Sequence, residues 1–61
     1  MDRNSQFLKI YANLALNQRN EIIVVLGEEE LTWNAAKIEI ANNTEKGKEI
    51  LEKLVRLGIL K

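Results

Sequence analysis

Between Asn42 and Arg56 lie seven side chains that carry hydrogen-bond donors or positive charge: Asn42, Asn43, Thr44, Lys46, Lys48, Lys53 and Arg56. Polar groups at a helix entrance, followed by cations along the helix, are the groups that reach phosphate oxygens and base edges in a DNA groove. They are the candidate DNA-binding residues. Other chemistry has little to work with. The chain has no histidine and no cysteine, so the common metal ligands and the most easily tuned acid–base and nucleophilic groups are missing. Glutamate and lysine could act as general bases, but no pair stands out, and no phosphate loop or dinucleotide fingerprint occurs. The expectation is a protein that is not an enzyme and holds neither a metal nor a cofactor.

The same helix also carries opposing charge. Glu45, Glu49 and Glu52 interleave with the cations, and Glu49–Lys53 and Glu52–Arg56 are i,i+4 pairs in the favourable order. Such pairs are the ordinary dress of a solvated helix face. Nine basic and nine acidic residues cancel over the whole chain, which removes any global attraction for nucleic acid or anionic lipid. The balance is local. Residues 28–41 set Glu28, Glu29, Glu30 and Glu39 against Lys37, a net of −3, whereas residues 42–61 set five cations against three glutamates, a net of +2. Glu28–Glu30 is read as a connection or an acidic helix start, with an acidic interaction patch as the further possibility.

Four segments must position these groups. Ser5 can cap a first helix over residues 5–15, with Phe7, Ile10, Tyr11 and Leu14 on one stripe. Phe7 and Tyr11 are expected in the core or at a dimer contact. Residues 17–27 have an asparagine cap and a glycine stop around Ile22-Ile23-Val24-Val25. A buried helix is expected there, with a short hairpin over residues 22–33 as the alternative that the β-branched run supports. Thr32 caps a third helix bearing Trp33, Ala36 and Ile40, with Trp33 as a core anchor. Asn42-Asn43 ends that helix, and Thr44 or Asn43 caps the last one. Gly47 shares the face of Ile50 and Leu54, where a missing side chain would let the preceding helix approach closely, offsetting a helix cost of about 1 kcal/mol relative to alanine. The fold class that follows is all-α: one compact four-helix domain over residues 1–61.

Sixty-one residues without a disulfide make a marginal lone core, so a homodimer sharing the stripe of the first helix is expected. The longest apolar run, Ile22–Leu26, is too short to span a membrane. No signal-peptide pattern opens the chain, and a cytoplasmic location is expected.

Leu31-Thr32 opens the third segment, Ile40 closes it, residues 41–44 turn, and Leu54-Val55-Arg56-Leu57-Gly58-Ile59-Leu60 finishes the last helix. In this arrangement Leu31–Leu60 resembles the helix-turn-helix core of winged-helix DNA-binding domains, of the kind found in small bacterial and archaeal regulators. The resemblance covers half the chain. It implies a transcriptional regulator that binds double-stranded DNA, with residues 44–57 as recognition helix and Arg19–Leu26 as the preceding core helix. Two features depart from the pattern: no wing follows the last helix before Lys61, and Lys37 stands where a small residue is usual. A protein-interaction or structural module with a helix-turn-helix-like fold and no DNA binding is the alternative.

Overall fold

Asp2, three residues ahead of Ser5, opens the first helix. The computed structural model describes residues 2–61. There the Asp2 carboxylate accepts the backbone N–H of Ser5 at 2.7 Å, and α1 runs over Arg3–Ala12. The expected cap at Ser5 is thus corrected. An aspartate with one free N–H three residues on outcompetes a serine already inside the turn. The helix also stops earlier than residue 15. Asn13 closes it by donating its side-chain amide to the Lys9 carbonyl at 2.9 Å, which leaves Ala15 and Leu16 exposed.

The second segment overturns the all-α, four-helix expectation. The domain is α/β: three helices and a two-stranded antiparallel sheet, in the order α1, a 3-10 turn at Gln18–Asn20, β1 (Ile22–Leu26), β2 (Glu29–Thr32), α2 (Trp33–Ala41) and α3 (Glu45–Arg56). Arg19–Leu26 is therefore turn and strand where a core helix was expected, and the hairpin alternative over residues 22–33 describes the chain. A helix apolar nearly all round needs cover on every side, which a chain of this length cannot supply. A strand needs cover on one face only, and the β-branched run suits it.

Register shows how the strand uses four successive apolar residues. Ile22 pairs with Thr32 and Val24 with Leu31, so Ile23 is an extra residue in a β-bulge. The bulge breaks strict alternation. Val24 is buried and Ile23 half-buried, while Ile22 and Val25 remain 53% and 45% exposed. Gly27-Glu28 turns the hairpin, with Gly27 at φ +61° and Leu26 opposite Glu29. Glycine with positive φ at the first central position is what a II′ hairpin turn requires.

Thr32 ends β2 and caps α2 through a 3.1 Å bond from Ala35 N–H. The second helix is the hub, packing against α1, α3, β2 and the 3-10 turn. The core gathers Phe7, Val24, Leu31, Ala36, Ile40, Ile50, Leu51, Leu54 and Leu60. Phe7 is fully buried and lies 5.6 Å from Trp33 between ring centroids. Ile10 and Tyr11 pack half-buried on the same core, so the stripe expected to be shared with a second copy is used within the chain. At the far end Gly58, φ +81°, closes α3 in a Schellman arrangement: Ile59 N–H reaches the Leu54 carbonyl at 3.0 Å and Gly58 N–H reaches Val55 at 3.1 Å. That turn returns Leu60 to the core. No helix among the described residues is long and apolar enough to cross a membrane.

Candidate interaction face of α3 and the hairpin

The joint between α2 and α3 is built from the first three candidate residues. Asn42 caps α2 and donates its side-chain amide to the Ile38 carbonyl at 2.8 Å. Asn43 adopts φ +54°, a left-handed geometry that asparagine tolerates better than most residues. Its side-chain oxygen accepts the Asn4 amide from α1 at 3.0 Å. Thr44 accepts Gly47 N–H at 2.9 Å as the cap of α3 and donates its hydroxyl to the Glu39 carboxylate at 2.6 Å. Gly47 makes the close approach that its place on the wheel suggests. A Cβ there would lie 2.6 Å from the Glu39 carbonyl oxygen. Asn42, Asn43 and Thr44 are thus committed to the fold.

The cations divide differently. Lys46 bridges to Glu29 on the hairpin, 2.8 Å from one carboxylate oxygen and 3.1 Å from the other. The bond that Lys46 donates to Glu29, and the negative charge of that carboxylate, raise the lysine pKa above its ordinary 10.5. Lys48 meets Glu45 at 3.4 Å in an open pair, a contact of little energetic weight. Lys53 is half-buried and Arg56 exposed. Neither expected i,i+4 pair, Glu49–Lys53 or Glu52–Arg56, closes to ion-pair distance among the described residues.

What the sequence did not disclose is how close the hairpin stands to α3. Val25, Leu26 and Gly27 form one wall of an open depression of about 250 Å³, and Glu49, Glu52, Lys53 and Arg56 form the other. The signals were present separately, as the β-branched run and the Glu28–Glu30 block. Nothing in either names α3 as the neighbour. A second polar cluster has no signature in the sequence at all. The Tyr11 hydroxyl donates to Asn34 at 2.6 Å, and Asn34 donates to Asn20 at 2.9 Å. The Arg19 guanidinium lies 4.3 Å above the Tyr11 ring, a cation–π contact that pins the 3-10 turn to α1.

The seven candidate residues therefore share a region but not a role. Three build the α2–α3 joint, Lys46 ties the hairpin to α3, Lys48 pairs loosely with Glu45, and Lys53 and Arg56 carry no ion pair among the described residues. The charge around them is mixed, with the acidic hairpin beside the first half of the helix. No protein-family model, curated protein or solved structure matches the chain.

Proposed function

We propose that this chain is a protein-binding module: a helix-turn-helix-like core whose α3 and hairpin together meet another polypeptide. The observation that carries the reading is the Lys46–Glu29 bridge at 2.8 Å. It brings an acidic strand to the side of α3 that would have to approach phosphates, and it occupies one of the cations meant for them. Phosphate attraction dominates DNA affinity, and a near-neutral face supplies little of it. The apolar outer face of the hairpin, Ile22 and Val25, suits a protein partner better. Self-association belongs to the same proposal, because a core this small gains from a second copy.

One feature favours DNA as a second reading. The α2–turn–α3 unit is tightly built, and Lys53 and Arg56 carry no ion pair among the described residues. Titrating isotope-labelled protein with duplex DNA at low salt separates the readings. The protein-binding module predicts unmoved amides over residues 42–56. Saturable shifts there that fade with added salt would replace it by DNA binding.

A further inference from the structure

In the first half of the chain the charges are segregated. Residues 3–20 carry Arg3, Lys9 and Arg19 and no carboxylate, whereas residues 21–30 carry Glu21, Glu28, Glu29 and Glu30 and no cation. The fold adds a further cation to the first group. Arg19 lies 4.3 Å from the centre of the Tyr11 ring, and Lys37 of α2 lies 5.8 Å from it. Neither reaches a carboxylate at ion-pair distance among the described residues, where both ion pairs use lysines of α3. The Arg19 guanidinium donates to the Ala12 carbonyl at 3.5 Å, and its buried Nε has no hydrogen-bond partner among the described residues. Glu39, two residues from Lys37, accepts the Thr44 hydroxyl instead. Exposed apolar side chains flank the two cations. Leu16, 77% exposed, belongs to the turn that leads into Arg19, and exposed Ile38 follows Lys37.

The outer face of the hairpin has the opposite sign. Register sets Val25 across from Glu30, on the face away from buried Val24 and Leu31. Glu29 is neutralised by Lys46, but exposed Glu28 and Glu30 form no ion pair among the described residues. We infer that the partner is a second copy of this chain: the hairpin of each copy, through Val25, Glu28 and Glu30, docks on the face around Arg19 and Lys37 of the other. This rests on the protein-binding reading and names its partner. Charge complementarity selects the orientation. Hairpin against hairpin would bring glutamates together, and the two cationic faces would bring cations together, so like charges disfavour both. Only the reciprocal arrangement sets each carboxylate block against a cation pair, with Ile22 and Val25 beside Leu16 and Ile38. Such a pair closes on a two-fold axis, and each contact occurs twice. Zero net charge removes the long-range repulsion between copies.

The test uses the full chain, in sedimentation equilibrium and, isotope-labelled, in amide spectra recorded on dilution. The expected result is a two-chain mass that gives way to one chain as salt is raised to about 1 M. Concentration-dependent shifts are expected at Arg19, Lys37 and Ile38 together with Val25 and Glu30. Two charge-reversed chains, Arg19→Glu with Lys37→Glu and Glu28→Lys with Glu30→Lys, are each expected to pair more weakly by roughly tenfold or more, the scale of two exposed charge pairs. An equimolar mixture of the two is expected to restore the two-chain mass. The hairpin variant changes exposed residues only, so its loss of pairing decides the matter even if the first variant, which gives up contacts to Tyr11, does not fold. A one-chain mass at every concentration, undiminished pairing of the hairpin variant, or an association indifferent to salt overturns the pairing while leaving a module that binds another polypeptide. Shifts confined to Leu57 and Ile59 do the same. Salt-sensitive shifts with duplex DNA over residues 42–56 overturn the protein-binding reading itself.

Discussion

Asp2 is exposed and Lys46 half-buried, and each is tuned chiefly by one neighbour. Asp2 lies below its ordinary 3.8, first because the Ser5 backbone N–H bonds the carboxylate and then through the Ser5 side chain. Its stabilising effect is complete above 3.8 and disappears as the pH falls through the lowered folded value. Lys46 lies above its ordinary 10.5 because of Glu29. Its effect is complete below 10.5 and disappears as the pH rises through the raised folded value. Urea midpoints measured against pH are expected to decline at both extremes, in acid through the cap of α1 and in alkali through the hairpin tie. Lys46→Met is expected to remove the alkaline contribution and leave the acid one. An unchanged alkaline limb in that variant would show that the bridge does not anchor the hairpin.

Among the elements, the α2–α3 joint makes the sharpest demand. Alanine at position 47 would favour the helix by about 1 kcal/mol over glycine. Its Cβ, however, would meet the Glu39 carbonyl oxygen at 2.6 Å and the Ile40 Cα at 3.1 Å. Both are backbone atoms and cannot swing aside. Gly47→Ala is therefore expected to destabilise the domain by about 1–3 kcal/mol, the range for overpacking, read from urea unfolding. A neutral or stabilising result would mean that the helices do not meet there. This joint was legible in the sequence, since a lone glycine on the face of Ile50 and Leu54 weakens its helix unless another backbone lies against it. The last helix was legible too, from the Thr44 cap to Gly58, because its periodicity and its stop signals agree. The hairpin is less legible because its signals conflict. Asn17 and Gly27 bracket a helical length, while Ile22-Ile23-Val24-Val25 lacks the alternation of a half-buried strand. A bulge at Ile23 erases that alternation, and periodicity alone does not reveal it. The candidate site was half legible for a related reason. Residue type found the cluster Asn42–Arg56, but only the tertiary fold decides which donors are already engaged.

At the scale of the molecule, the folding of α1 onto the core changes where a second copy could bind. Phe7 is fully buried, and Ile10 and Tyr11 pack beside it, so the stripe no longer offers a shared face. Leu16, Ile38, Leu57 and Ile59 are the exposed large apolar residues outside the hairpin. Self-association through such residues is expected to appear in sedimentation equilibrium as a two-chain mass that dissociates on dilution, with a concentration-dependent Tm. A one-chain mass at every concentration removes that part of the proposal. The result bears on stability as well as partners, since a domain near the lower size limit has little margin to lose.

The extra residue in β1 has a consequence for how the gene can change. Ile22 and Ile23 are the same residue type, so loss of either codon gives one and the same chain, which keeps an isoleucine opposite Thr32 and Val24 opposite Leu31 while restoring strict alternation. That loss leaves every neighbouring side chain on its present face. Loss of a codon elsewhere in the strand shifts the pairing by one and turns part of it over. The hairpin thus has a single place where its length can drift by one residue across generations without exchanging its inside for its outside.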